Sequence, residues 1–363
     1  MTTDTLSGSR IPDRGSLRFR VDAVLRGFLD AKERAAPGGE LPYLTTTLRT
    51  MLTGGKRLRS VLCVYGWYAA GRPPEPLETA IHAAASLELF QVFALVHDDV
   101  MDDSDTRRGQ PSAHRALAAA YTDSGGPGAR AEAHGMGAAV LLGDLALVWS
   151  DELLHTAGLK PRRLAEVLPL VSEMRSEVMY GQLLDLCTTG RRPSGDVDAA
   201  LHVIRYKTAK YTMERPLQIG AALAGGSPEV LEACSAFGIP LGEAFQLRDD
   251  LLGVFGDPAR TGKPTLDDLR EGKATVLMAH AVRNASTAQL KLLRKRVGDP
   301  DLSEQQAVLV REILEDTGAR EAVETMIEER RDVALRALDA APFTREAAAC
   351  LRDVARTATV RQV

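Results

Sequence analysis

Residues 95 to 111 read LVHDDVMDDSDTRRGQP and set five aspartates and two arginines behind an apolar run. A solvated helix end is the ordinary explanation for such charge, and the spacing argues against it. Asp98 and Asp102 are four positions apart, so on a helix both carboxylates leave one face a turn from each other, with Asp99 rotated aside. Like charges so placed repel. A hard divalent cation removes the repulsion: magnesium prefers oxygen, is held by one or two carboxylates, and fills its shell with water and phosphate oxygens. FQLRDDLLG at 245–253 is a second acidic run behind a helical apolar pattern. Two such faces opposed across a bundle make a cage for a magnesium–diphosphate cluster.

Basic residues accompany both runs. GGKRLRS at 54–60 opens with two glycines and brings Lys56, Arg57 and Arg59 to a helix entrance, a place that receives anions. Arg107 and Arg108 directly follow the first aspartates, where guanidinium forks can grip phosphate oxygens. Lys207 lies in RYKTAKY and Lys263 in RTGKPTLDDLREGK, near polar, glycine-bearing or acidic positions.

The elements that must position these groups are helices. Apolar residues recur at helical spacing from Ser16 to Ala35 and along nearly the whole chain, with Gly and Pro breaks near 37–39, 53–55, 71–76, 124–128, 190–195, 225–228, 256–264 and 298–300. Strand signals are almost absent. The spacing predicts an all-α, single-domain helical bundle over 16–363 after a flexible tail at 1–15, with a mobile loop around Asp123 to Gly137. The helix from about Glu78 to Val100 is apolar nearly all round, which marks the centre of a bundle. Its aspartates therefore end a buried element, where charge is costly unless something binds it.

Composition narrows the partners. A formal net charge of −4 with no lysine–arginine block leaves no footprint of nucleic acid or anionic membrane. Cys63, Cys187, Cys234 and Cys350 form no C-x-x-C pair, the pattern of scattered thiols in a reducing compartment. The first residues hold no apolar signal run, and no later stretch reads as long and uncharged enough to span a bilayer. A cytoplasmic protein is the expectation.

The ordered set GGKRLRS, DDVMD followed by TRRGQP, GQLLD at 181–185, KT at 207–208, FQLRDD at 245–250 and TGK at 261–263 resembles the trans-isoprenyl diphosphate synthases, or polyprenyl synthetases. The resemblance implies an all-helical homodimer with a central active-site cavity that joins isopentenyl diphosphate to an allylic diphosphate, using three magnesium ions. It assigns Asp98 and Asp102, supported by Asp99, to two ions and Asp249 to a third. By the same motif positions, Lys56, Arg59, Gln91 and Arg108 match the isopentenyl diphosphate site, and Arg107, Lys207 and Lys263 the allylic diphosphate site. Thr208 and Gln246 match the polar groups beside the developing cation, and Gln182 and Asp185 the site wall. Three positions depart from the family pattern: Ser60 stands for a proline, Gln91 for a frequent histidine, and Gly253 for the third acid of the second motif.

Product length is read from the helix before Asp98. A tail anchored at Asp98 and Asp102 runs back along it, about 5.4 Å per turn, so Phe93 and Ala94 form the wall and floor. In the family, an aromatic beside a small residue there goes with twenty-carbon products, which points to geranylgeranyl diphosphate, with farnesyl or longer products as alternatives. A class I terpene cyclase would need Asn/Asp, Ser/Thr and Glu at fixed spacing, and DDLLGVFGD from Asp249 lacks the Ser/Thr and Glu. A His–Asp metal hydrolase could use His97 with Asp98, but no matching histidines follow. A non-catalytic subunit would lose aspartates of the first motif, and this chain keeps them.

Overall fold

The computed structural model describes residues 11–35, 41–71, 76–256 and 266–359. Helices dominate, in the order α1 (Arg14–Ala35), α2 (Leu41–Leu52), α3 (Leu58–Ala69), α4 (Leu77–Met101), α5 (Ala113–Asp123), α6 (Ala131–His155), α7 (Pro161–Thr188) and α8 (Val197–Val203). A π-helical segment, Ile204–Glu214, leads into α9 (Arg215–Leu223) and α10 (Pro228–Phe255). The short α11 (Asp267–Glu271) precedes α12 (Val276–Asn284), α13 (Thr287–Arg296), α14 (Glu304–Asp316), α15 (Ala319–Ala340) and α16 (Arg345–Thr359). Their starts follow capping chemistry: Asp196 and Thr275 each accept a backbone N–H, and Ser286 with Gln289 and Ser303 with Gln306 form reciprocal capping boxes.

The bundle is arranged around α4. Ile81, Leu87, Leu89, Phe90, Val92 and Val96 are all buried, against α3, α6 and α1. By length and hydropathy this helix could cross a membrane, contrary to the sequence expectation, yet 78% of its most apolar window is buried inside the protein. An all-round apolar helix is what a bundle centre requires. Buried apolar side chains form two clusters, a large one around α1, α3, α4, α6 and α9 and a smaller one among α8, α12, α14 and α15. The α10 helix belongs to both, with Phe237 and Leu241 in the first and Leu247 and Leu251 in the second, so one continuous helix joins them.

Three sequence expectations change. The expected loop at 123–137 ends early, because α6 begins at Ala131 and lies on α5, with the Tyr121 and His134 rings stacked 4.0 Å apart. The tail expected at 1–15 gives way to helix at Arg14; residues 1–10 lie outside those described. A two-stranded hairpin, Thr106–Arg107 (β1) with Gln110–Pro111 (β2), follows α4, turning through Arg108 (φ 55°) and Gly109 (φ 74°). Positive φ at both central residues is the tight turn that suits strand twist, and only the glycine announces it in the sequence.

Candidate active site

The C-terminal part of α4 presents Gln91, Ala94, Leu95 and Asp98 as a half-exposed stripe on an otherwise buried helix. These positions share one helical face, and that face meets the π-helix, whose Lys207 and Tyr211 bond Asp98 and Gln91. Lys207 Nζ lies 3.1 Å from Asp98 Oδ1 and 2.5 Å from Asp185 Oδ2, bridging α4 and α7. The bridge is possible because α7 passes against the backbone at Tyr206 and Lys207, where a β-carbon on Gly181 would overlap it. Beside it, Thr208 donates to Gln246 Oε1 at 2.8 Å, and Gln246 Nε2 donates to Asp250 at 2.7 Å.

The hairpin turns Arg107 back onto α4. Its Nε donates to Asp99 at 2.8 Å, and its Nη2 bonds Asp99 and lies 3.1 Å from Asp98. Arg108, next in the turn, points to the entrance of α3, where its Nη1 lies 3.4 Å from the Thr53 carbonyl. At that entrance Lys56 is exposed. Arg59 donates to Thr212 at 2.7 Å and stacks 4.1 Å over the Tyr211 ring, while Tyr211 donates to Gln91 Oε1 at 2.6 Å. Arg59 and Gln91 are thus joined through Tyr211 and Thr212, with Lys56 and Arg108 at the same α3 entrance, while Arg107 and Lys207 meet at Asp98 and Thr208 holds Gln246. Lys263 lies outside the described residues.

Arg57, singled out with its neighbours in GGKRLRS, has a different task. It is buried with φ 52° and donates to Asp22, Glu88 and the Leu52 carbonyl, so it holds the entrance in shape. Ser60 fits the same network, donating to Ala84 O and Glu88. His97 packs edge-on against Phe93 and lies 3.1 Å from the Val140 carbonyl, a structural contact between α4 and α6. Phe93 is 8% exposed and also touches Phe90.

Electrostatics separate the carboxylates. Burial raises Asp98, but Lys207 and Arg107 outweigh it and hold the group below its ordinary range. Asp102 is pushed up to about 6 by burial and by the charge of Asp98. Asp250 rises to about 7 through burial, with Asp268 and Asp249 adding to it against the Gln246 hydrogen bond.

The donor set fits magnesium. Every candidate ligand is a carboxylate oxygen, and Asp99 Oδ2 and Gln182 Nε2 are buried without a hydrogen-bond partner. Among the described residues no three His, Cys, Asp or Glu side chains converge on one point. A metal here would take one or two carboxylates and complete its shell with water or phosphate, as magnesium does.

Sequence reasoning missed four contributors. Tyr211 and Thr212 stand four positions after Lys207 and Thr208, a repeat that could have flagged them. Asp268 and Lys273 occur in the stretch already noted for Lys263. Lys273 Nζ lies 3.0 Å from Asp268 and 2.9 Å from Glu271, and its charge reaches Asp98 and Asp102.

A helical bundle with acidic runs on two helices and cations at both ends of the cavity is the architecture of a diphosphate-handling enzyme. Residues 41–316 match the polyprenyl synthetase family, and the chain belongs to it. It is a polyprenyl diphosphate synthase, a prenyltransferase. The fold is similar to a geranylgeranyl pyrophosphate synthase of Corynebacterium glutamicum complexed with isoprenyl diphosphate and magnesium, with TM-score 0.92, 41% identity, and coverage of 97% of this chain and 100% of that one. The sequence is 31% identical over 297 residues to geranylfarnesyl diphosphate synthase of Aeropyrum pernix (79% of this chain, 85% of the relative). It is 34% identical over 269 residues to (2E,6E)-farnesyl diphosphate synthase of Mycobacterium tuberculosis (73% and 68%). Products of different length among these relatives leave this chain's product open.

Proposed function

We propose that this short-chain trans-prenyltransferase condenses isopentenyl diphosphate with allylic diphosphates to give geranylgeranyl diphosphate, in a magnesium-dependent reaction. The observation that carries the reading is a two-ended grouping of charge, with Lys56, Arg59 and Arg108 around the α3 entrance and Arg107 and Lys207 on Asp98. Two diphosphates need two such ends. A cyclase, which ionises a single diphosphate, has no use for the second.

Magnesium, held by Asp98 and Asp102 on one side and Asp249 on the other, would supply electrophilic stabilisation of the allylic diphosphate as it leaves. Arg107 and Lys207 orient the same group through their donors. When the allylic carbon–oxygen bond breaks, its electron pair departs with the diphosphate. The isopentenyl double bond, held by the cations at the α3 entrance, then attacks the allylic carbon. The Thr208 and Gln246 oxygens lie beside the developing positive charge, and apolar walls from α4 exclude water. The new carbon–carbon bond leaves a cation that loses a proton to the released diphosphate, restoring an alkene. No side-chain nucleophile takes part.

Twenty carbons are favoured by Phe93 and Ala94. The small Ala94 lies on the half-exposed stripe and the aromatic Phe93 packs one position behind it. A homodimer is supported by large apolar side chains left exposed on two long helices, Leu141 and Val148 on α6 and Tyr180 and Leu183 on α7; sedimentation of the purified protein tests it. The decisive assay for the activity incubates the protein with magnesium, isopentenyl diphosphate and each allylic primer in turn and identifies the products by mass. A twenty-carbon diphosphate as main product upholds the reading, and failure to consume isopentenyl diphosphate with every primer overturns it.

A further inference from the structure

The fold assembles a basic surface from segments far apart in the sequence. Three glycines meet beyond α7: the Gly190 N–H reaches the Gly272 carbonyl, the Gly298 N–H bonds the Leu269 carbonyl at 2.8 Å, and a β-carbon on Gly272 would come 3.0 Å from the Gly298 α-carbon and 3.6 Å from that of Gly190. From this junction the loop after α7 runs to Gly195, which lies against the Arg283 backbone in the last turn of α12. The α13 helix starts just after α12 and ends two residues before Gly298, so it spans the same two points. Segments 186–195 and 282–298 are thereby brought together, with seven arginines and lysines and no aspartate or glutamate.

Arg191, Arg192, Arg283, Lys291, Arg294 and Lys295 are exposed and have no ion-pair partner among the described residues. The carboxylates that flank the two segments are engaged elsewhere or at the edge: Asp185 by Lys207, Asp196 as the cap of α8, Glu271 by Lys273 and Asp299 by Arg296. Cations in the last turn of a helix suit its dipole, which accounts for Arg294 to Arg296. It does not account for Lys291, which repels Lys295 one turn away, or for two arginines of another loop brought to the same helix.

We propose that this basic surface docks the protein on an anionic membrane. No aromatic side chain is interleaved with the cations, as base stacking on a single-stranded nucleic acid would need, whereas a layer of anionic headgroups asks only for a density of positive charge. The loop begins just past Asp185, which accepts from Thr189 and from the Lys207 ammonium beside Asp98, so the docked face adjoins the site. On the prenyl diphosphate reading above, on which the purpose of docking rests, a product with a charged head and a long apolar tail leaves next to the phase that takes it up.

The test is co-sedimentation of the full chain with phosphatidylcholine vesicles, plain or with about a third of phosphatidylglycerol, at low salt and without substrates. The protein is expected on the mixed vesicles alone and is released as salt is raised. Each cation at the surface is worth about fivefold, so Arg294→Gln with Lys295→Gln, and Arg191→Gln with Arg192→Gln, should each weaken binding about twentyfold or more. Arg336→Gln with Arg345→Gln removes as much charge from the part of α15 and α16 that packs in the large cluster, and should leave binding unchanged. No binding to mixed vesicles, equal binding to plain ones, or an equal loss in all three pairs overturns the proposal. Binding of polyuridylate that depends on the same arginines, in a protein that ignores both vesicles, assigns the surface to nucleic acid and overturns it too. Turnover without lipid is measured alongside and is expected to stay native in all three pairs; failure of the native protein to form a prenyl diphosphate there fails the functional reading and leaves docking to be judged by the vesicles.

Discussion

The C-terminal parts of α4 and α10 carry the same pair of adjacent aspartates and surround them differently. On α4 the inner aspartate, Asp99, is fully buried and paired with Arg107, while Asp98 shares Arg107 and Lys207. On α10 the inner aspartate, Asp250, receives an amide hydrogen bond from Gln246, and its carboxyl rises to about 7. Burial raises both inner carboxyls; at Asp99 the Arg107 guanidinium opposes the rise with charge and hydrogen bond, and at Asp250 the Gln246 amide opposes it with a hydrogen bond. The first run obtains its cation from a hairpin within ten residues of it. The second depends on chain that returns fifteen residues later.

The comparison can be broken most directly at its charged face. Asp98→Ala and Asp102→Ala should each lower turnover on the order of a hundredfold or more, with circular dichroism unchanged, because several kcal/mol of charge stabilisation is lost. Near-native turnover in either at saturating magnesium would remove the first run from the chemistry. Next in size is the pairing itself. Arg107→Ala leaves Asp99 buried without its partner and should cost about 3–5 kcal/mol of stability in urea unfolding, whereas Gln246→Ala beside Asp250 should cost less than half as much. Equal losses would erase the distinction between the two inner aspartates.

Lys56→Ala and Arg108→Ala leave both acidic runs intact. Each should raise the Michaelis constant for isopentenyl diphosphate about tenfold, the value of a charge-assisted contact worth ~1.5–3 kcal/mol, with little change for the allylic substrate. An equal effect on both substrates would merge the two ends of the cavity.

Acidity gives a finer contrast. Asp102, raised to about 6, is charged above that pH and protonated below it. Without metal its raised value favours the folded state at low pH, and that stabilisation is lost as pH rises from 3.8 through about 6. Magnesium needs the charged form, so its half-saturating concentration should climb as pH falls through 6, by up to about tenfold per unit for one displaced proton. A flat profile between about pH 7.5 and pH 5.5 would mean that Asp102 is not a ligand. The smallest expected change is in product rather than rate: Phe93→Ala should lengthen the main product, and Ala94→Phe should shorten it toward fifteen carbons. Chromatography of the dephosphorylated alcohols decides, and unchanged lengths in both variants would move the floor to another helix.

Periodicity was enough to read the helical class and the central position of α4, since an apolar helix without a polar face has few other places to go. Motif order was enough to single out Asp98, Arg107 and Lys207, which meet, and Thr208 and Gln246, which are hydrogen-bonded. It was not enough to separate Arg57 from Arg59, because adjacent arginines look alike until one takes up a positive φ and turns inward onto Glu88. The hairpin escaped because each strand is two residues long, below any periodic signal. Asp268 escaped for another reason: its carboxylate lies where a β-carbon on Gly253 would, and a contact between a side chain and an absent one leaves no mark on local pattern.

The π-helical segment Ile204–Glu214 carries a further consequence, one of phase. Its hydrogen bonds skip one residue more than those of an α-helix, as in the bond from the Arg215 amide to the Lys210 carbonyl. Along it, Lys207 reaches Asp98 and Thr208 reaches Gln246, while Tyr211 reaches Gln91 and Thr212 receives Arg59, so one short stretch touches both groups of site residues. Behind it, Lys210 and Arg215 are tied to Glu177 on α7, which keeps the wide turns from relaxing. Loss of a single residue here would let the segment tighten to an ordinary helix and rotate every group on one side of the deletion against the other. The stretch behaves as a gear tooth, with its length as well as its side chains fixed by what it must reach.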